Sequence, residues 1–313
     1  MIIFEVICMP IVDTTVPMTP ELCIRTIERL TARYPFCRSE LLARTAFGRP
    51  IRTLVIGNGP RKVLYSAAHH ANEWITTPVL LKFVEDFALA IENSGQIGGM
   101  DARELRSIAT IYTVPMVDPD GVALVTGSIT AGDPEYVQAQ SIAADFPSIP
   151  FPDGWKANLL GVDLNLNYPA GWLQARENKF MQGFTRPAPR DYVGRAPLDQ
   201  FETRALAGYT EAIDPALVLA YHTQGKVIYW QFQDYEVPGA RELGERFAAV
   251  SGYSLEETPF LSAFAGYKDW FIKHFRRPGY TIEVGAGENP LPISQFDEIY
   301  RDNLGILVTA AMG

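Results

Sequence analysis

The sequence predicts an α/β protein built on a mostly parallel or mixed sheet with helices on both faces. Short apolar runs alternate with amphipathic helical segments from residue 20 almost to the C-terminus, and turn-forming residues separate them. The chain has 313 residues, of which 47% are apolar and 20% charged, which is enough to bury a sizeable core. The same composition excludes a disordered, collagenous or membrane-spanning chain.

The elements follow in order. Thr19-Pro20-Glu21 offers a cap, a proline suited to a first helical turn and an acid near the positive end of the helix dipole. Leu22, Cys23, Ile27 and Leu30 then recur at helical spacing until Tyr34-Pro35 stops the run. Residues 52–57 and 62–68 read as strands joined by the turn Gly57-Asn58-Gly59-Pro60. Thr77-Pro78 opens a helix whose Leu81, Val84 and Phe87 face inward. Residues 111–117, 216–221 and 279–284 read as further strands, 238–250 as an amphipathic helix and 292–312 as a closing helix. Residues 127–158 read as a long functional loop rich in Pro, Gly and Asp. There is no internal repeat and no low-complexity linker, so residues 17–313 are expected to form one domain.

Residues 1–16 read as an N-terminal extension. The run MIIFEVICMPIV is apolar but carries Glu5, has no basic segment before it and lacks a small-residue cleavage site before Asp13. It reads as an edge strand or tag-like extension, and a cytoplasmic protein is expected. No run reaches the ~18 uninterrupted apolar residues of a membrane span. The formal net charge of −9 opposes phosphate backbones and anionic bilayers, so neither nucleic acid nor membrane is an expected partner. The cysteines, Cys8, Cys23 and Cys37, are odd in number and confined to the first forty residues. Such a set fits reduced thiols better than a disulfide framework or zinc knuckle, with a Cys23–Cys37 pairing left open.

The chain has four histidines, so the place of each is informative. His69 and His70 follow an apolar strand at its carboxyl end, where α/β proteins gather ligands. Glu73 comes three residues after His70, and the two converge on one ion if the chain turns between them. His222 also follows an apolar strand. Two imidazoles and a carboxylate with one open position make up a catalytic zinc site. His69 and His274 carry no assigned chemistry, His274 falling in a Lys-His-Phe-Arg-Arg surface stretch. Serine, cysteine and nucleotide chemistry have no support, since G-x-S-x-G, G-x-x-x-x-G-K and G-x-G-x-x-G are all absent.

Several segments occur together in the order found in the zinc carboxypeptidase family. They are Ala68-His69-His70-Ala71-Asn72-Glu73-Trp74, Val117-Asp118-Pro119-Asp120-Gly121, Gly161-Val162-Asp163-Leu164-Asn165, Tyr221-His222-Thr223 and Asp269-Trp270, followed by Tyr280-Thr281-Ile282-Glu283. The chain resembles that family over roughly residues 17–313. Its string from His69 to Pro78 looks most like bacterial γ-D-glutamyl-L-diamino acid endopeptidases, which cut peptidoglycan stem peptides. The resemblance implies a three-layer sandwich around a mixed eight-stranded sheet. It also implies one Zn2+ held by His70, Glu73 and His222, Glu283 as general base, and Asp163 orienting the first histidine. Trp155-Lys156 stands where the family carries Trp-Arg, so Lys156 is either the oxyanion stabiliser, as a point charge, or an exposed loop lysine.

The family pattern also breaks. Its Asn-Arg pair, which grips a free C-terminal carboxylate, is Asn165-Leu166 here. Asp118 replaces an asparagine, Asn72 replaces an arginine, and the mobile tyrosine falls nearest Leu261, with Tyr267 close by. Losing one desolvated arginine–carboxylate contact costs on the order of 2–5 kcal/mol, so simple carboxypeptidase action is the weaker expectation. Lys268 is expected at the floor of the specificity pocket, favouring an acidic group, and Asp118 is expected to accept an ammonium. Together they suit a diaminopimelate-type side chain in a peptide or muropeptide substrate. Alternatives are a metallocarboxypeptidase, an N-acyl amino acid deacylase of the same superfamily, or a metal-free binding module on this scaffold.

Overall fold

The computed structural model describes residues 10–313. Cys8 and most of the expected edge strand lie outside the described residues, whereas Ile11 and Val12 are buried in the main core. The strands are β1 (Leu41–Arg44), β2 (Pro50–Arg52), β3 (Leu54–Gly57), β4 (Arg61–Ala67), β5 (Gln96–Ile97), β6 (Met100–Asp101), β7 (Ala109–Val114), β8 (Leu217–His222), β9 (Val227–Tyr229), β10 (Ser254–Glu256) and β11 (Gly279–Glu283). The helices are α1 (Pro20–Arg33), α2 (Thr76–Glu92), α3 (Ala102–Ile108), α4 (Pro119–Val125), α5 (Pro134–Ala143), α6 (Trp172–Met181), α7 (Phe201–Ile213), α8 (Ala240–Ser251), α9 (Tyr267–Phe275) and α10 (Phe296–Met312).

Seven strands form the main sheet in the order β10-β9-β11-β8-β4-β7-β3. The central run β11-β8-β4-β7 is parallel, while β3 and β9 join antiparallel. Alternate residues of the central strands feed two cores. Val63, Tyr65, Leu219 and Tyr221 face the layer holding Ile27 of α1, Phe83 of α2, Phe247 of α8 and Leu307 of α10. Leu64, Val218 and Ala220 face Trp172 of α6, Leu206 of α7 and Phe271 of α9. This period-two alternation between two helical layers is the expected three-layer sandwich.

The sheet has seven strands rather than the eight expected. At the β3 edge an additional partner is reduced to a single antiparallel bridge between Arg38 and Val55. The chain then enters β1, whose hydrogen bonds go to β2 in a separate two-stranded hairpin. The run expected at 52–57 breaks at Thr53 for the same reason. The strand expected to reach 117 ends at Val114, since Pro115 has no N–H to donate. The expected loop 127–158 contains α5, which buries only Ala139 and Ala143 and so shows no large-residue periodicity. Cys23 and Cys37 are free, buried thiols, which closes the question of their pairing. Among the described residues no helix is long and apolar enough to cross a membrane.

Local signals at the helix ends hold as read: the Thr19 hydroxyl accepts from the Leu22 amide and Pro20 begins α1. At the turn before β4, a side chain at Gly59 would run into the backbone of Ile108 and Ala109, so only glycine fits that approach.

The sheet positions the site. Strands β4, β8 and β11 are neighbours, run in parallel, and pair Ala67 with Tyr221 and His222 with Glu283. Their carboxyl ends therefore deliver His69, His70, His222 and Glu283 to one edge. The chain leaves β4 through Ala68 at φ +48°, a left-handed conformation unfavourable for alanine. The Thr76 hydroxyl holds that corner, accepting from the Ala68 amide at 3.0 Å and donating to the Glu73 carbonyl at 2.7 Å. Replacing Thr76 by the isosteric valine leaves both groups unpaired in a buried setting. A stability loss of about 2–4 kcal/mol is expected, measured as a shifted denaturant midpoint at unchanged m-value. A loss below about 1 kcal/mol contradicts this account.

Candidate active site

After His70 the backbone makes one tight 3-10 turn over Ala71–Glu73, which brings the Glu73 carboxylate back under the His70 ring. Glu73 Oε1 lies 2.9 Å from His70 Nδ1, and Oε2 lies 2.9 Å from His222 Nδ1. The two Nδ1 atoms are themselves 3.2 Å apart. All three side chains are buried, and their ligand atoms lie within 4.8 Å of one another. Two imidazole nitrogens and a carboxylate facing one another at this distance form a donor set for a divalent cation, and zinc takes this combination. The residues fit the ion that the sequence implies.

The far nitrogen of His70, Nε2, meets Asp163 Oδ1 at 3.1 Å, and Asp163 Oδ2 accepts from the Asp191 amide at 3.2 Å. This bond orients the ring and sets its tautomer. Lys156 is not an exposed loop lysine: it lines the cavity with its Nζ 2.9 Å from Glu73 Oε1. Glu283, next to His222 in the register of β11 and β8, lines the same cavity and is partly open to it. Asn165 and Lys268 also line it. Lys268 is tied by 2.6 Å bonds to the Gln231 carbonyl and Asp269.

Three of the expected substrate-binding residues do not line the cavity. Asp118 is fully buried and caps α4 through the Gly121 amide at 2.9 Å, so no ammonium reaches it. Asn72 points away, donating to the Asp153 carbonyl at 3.0 Å. Tyr267 is buried at the start of α9, its hydroxyl 2.8 Å from Thr210 and its ring against His69 and Trp270. Polar groups at helix starts and strand ends are commonly used up as caps and internal bonds, which residue type alone does not reveal. His69 stacks on His222 at 5.4 Å inside the core, and His274 is half exposed beside Trp270. Lys179, Arg190 and Asp191 line the cavity without having been singled out from the sequence. Lys179 lies in the last turn of α6, and the only sequence signal of Arg190 and Asp191 is a charged dipeptide in a Pro-rich loop, with no periodicity to mark it.

The charges are mutually dependent. Burial lowers the His70 imidazole, but Glu73 and Asp163 outweigh burial and raise it to about 9. Burial raises Glu73, yet His70, Lys156 and His222 hold it well below the carboxylate range. Burial, reinforced by the Glu73 charge, pushes Glu283 up to about 8. Burial lowers His222, with Glu73 opposing.

A model of the zinc carboxypeptidase family matches residues 23–305. The chain belongs to that family. It is a zinc-dependent metallopeptidase by descent, and the His-Glu-His group is where its members' metal chemistry has a counterpart here. The chain is similar to γ-D-glutamyl-L-diamino acid endopeptidase 1 of Lysinibacillus sphaericus, at 45% identity over 282 residues, covering 90% of this chain and 69% of that protein. Among solved structures it resembles bovine thrombin-activatable fibrinolysis inhibitor in complex with tick carboxypeptidase inhibitor. There the TM-score is 0.72 at 15% identity, covering 95% of this chain and 97% of the other. The murein-tripeptide amidase of Escherichia coli O157 matches with a TM-score of 0.53 at 21% identity, covering 87% of this chain and 91% of the other. At these identities the structural matches establish the shared fold.

In the metal-free protein both His70 and Glu283 retain protons that the unfolded chain releases, from about 6.5 for histidine and about 4.3 for glutamate. Where the folded state holds more protons, stability falls as pH rises. With chelator present, Tm is therefore expected to fall between about pH 6.5 and 9, and zinc is expected to remove most of that slope by taking the place of the His70 proton. A metal-free Tm that rises across this window contradicts the arrangement.

Proposed function

We propose that this family member hydrolyses the amide between γ-linked D-glutamate and diaminopimelate in peptidoglycan stem peptides, with residues 17–313 acting as one catalytic unit. The bond is supported by 45% identity across 90% of the chain to an enzyme named for it. The chemistry is supported above all by three buried donors meeting at one edge of the sheet, with Glu283 beside them on the neighbouring strand and lining the same cavity.

In this reading His70, Glu73 and His222 hold one zinc ion, which supplies Lewis acidity for the scissile carbonyl and for water. Asp163 fixes the His70 ring. Glu283 removes a proton as water oxygen bonds to the carbonyl carbon, then gives that proton to the amine nitrogen as the C–N bond breaks. Its proton affinity, raised by burial and by the Glu73 charge, suits it to hold a proton between those events. Lys156 points its ammonium at the metal end of the cavity, where charge develops on the carbonyl oxygen. Lys268 faces an acidic group of the leaving residue. Leu166, standing where the family carries arginine, disfavours general carboxypeptidase action.

Digestion of L-Ala-γ-D-Glu-meso-diaminopimelate followed by mass spectrometry is expected to yield the dipeptide and free diaminopimelate. Chelation abolishes the reaction and zinc restores it. Glu283→Gln is expected to lose about 10²–10⁴-fold in kcat while keeping its zinc content. Lys268→Ala is expected to lose at least about tenfold in selectivity for diaminopimelate over lysine as leaving residue. Preferential cleavage of ordinary α-linked tripeptides would instead make the protein a carboxypeptidase.

A further inference from the structure

The cavity contains a guanidinium that the family pattern does not place there. Arg190 lines the same cavity as Asn165 and Leu166, the pair at which the expected arginine is missing. Its Nε donates to Asp191 Oδ2 at 2.7 Å, and among the described residues neither Nη nitrogen has a hydrogen-bond partner. The other Asp191 oxygen is taken by Lys179, whose Nζ lies 2.5 Å away. Two cations share one carboxylate, so the trio carries net positive charge. The Arg190 side chain is 43% exposed and lines the cavity.

The loop that carries Arg190 is fixed rather than loose. The Pro189 carbonyl accepts from the amides of both Lys156 and Ala157, the Tyr192 carbonyl accepts from Asp163, and the Asp191 amide bonds Asp163 Oδ2. Asp191 itself sits at φ +66°, a left-handed conformation that costs free energy and persists only where surroundings enforce it. These bonds tie the backbone on both sides of the guanidinium to Lys156 and to the partner of His70. A pre-positioned arginine presenting two parallel N–H groups is the side chain best matched to a carboxylate.

We propose that Arg190 binds the α-carboxylate of the residue that leaves, supplying from residues 186–193 the guanidinium absent at position 166. The assignment rests on the peptidase reading above and makes it specific: the enzyme selects peptides whose diamino acid ends in a free α-carboxylate. Arg190 and Lys268 then bracket a leaving residue with two carboxylates. Each cation is tethered by the aspartate that follows it in sequence, Asp191 and Asp269.

The test compares L-Ala-γ-D-Glu-meso-diaminopimelate with the same tripeptide carrying an α-carboxamide on the diamino acid. Arg190→Ala is expected to lower kcat/KM for the acid on the order of a hundredfold and for the amide by less than about threefold. Arg190→Lys should recover part of the loss, because it restores charge without the fork. Calorimetry with zinc-loaded protein and meso-diaminopimelate gives a readout independent of turnover, with Arg190→Ala expected to weaken binding at least about tenfold. Equal losses on acid and amide, or no loss on either together with unchanged diaminopimelate binding, overturn the assignment. If wild type cuts neither tripeptide, the proposed reaction fails, and calorimetry alone then decides the role of Arg190. Wild type and Arg190→Ala binding diaminopimelate equally, or neither binding it, would count against that role.

Discussion

The Glu73 carboxylate is the interaction around which the site is arranged. It is fully buried, and such a charge is costly unless it is paired and hydrogen-bonded. Four groups pay that cost: the rings of His70 and His222, the Lys156 ammonium and the Thr223 amide. They come from the end of β4, the end of β8 and a loop between α5 and α6, so parts of the chain far apart in sequence meet on one pair of oxygens. The 3-10 turn that delivers Glu73 exists because β4 ends in a left-handed corner held by the Thr76 hydroxyl. Chain geometry, local hydrogen bonding and charge pairing therefore serve the same few atoms.

What could be read in advance follows from how local each signal is. The start of α1 is written in Thr19-Pro20, and the strands ending at Ala67, His222 and Glu283 are written as apolar runs bounded by turns. His70, Glu73, His222, Asp163, Lys156 and Glu283 were legible because each belongs to a short run whose neighbours are also distinctive. The hairpin of β1 and β2 was not, since only pairing partners distinguish it from an eighth strand of the main sheet. Helix α5 escaped notice because two alanines carry its buried side. Asp118, Asn72 and Tyr267 have the right residue types, yet Asp118 Oδ1 caps a helix, Asn72 Nδ2 bonds a loop carbonyl, the Tyr267 hydroxyl bonds a core hydroxyl, and none of the three lines the cavity. Arg190 reaches the cavity through backbone bonds between irregular segments, and such bonds leave no period in a sequence.

The cavity also shows how a shared fold accommodates a different recognition problem. The strand ends that carry the His-Glu-His group sit in the parallel centre of the sheet, where every neighbour limits what can change. Part of the remaining lining, including Arg190, Asp191, Thr258 and Pro259, comes from loops, which tolerate replacement far better. Leu166 and Arg190 face the same space from different segments, so loss of a cation at one position is balanced by its presence at the other. Fold and chemistry stay constant while the perimeter is rewritten.

The stitching of the Pro189–Tyr192 segment has an evolutionary consequence. Its carbonyls and amides are shared with Lys156 and Asp163, and Asp163 in turn holds a histidine of the His-Glu-His group. Lengthening or shortening this loop would shift the ion's surroundings along with the wall, so diversification by insertion is closed off here. The preference at this wall is therefore set by the side chains that a fixed backbone presents.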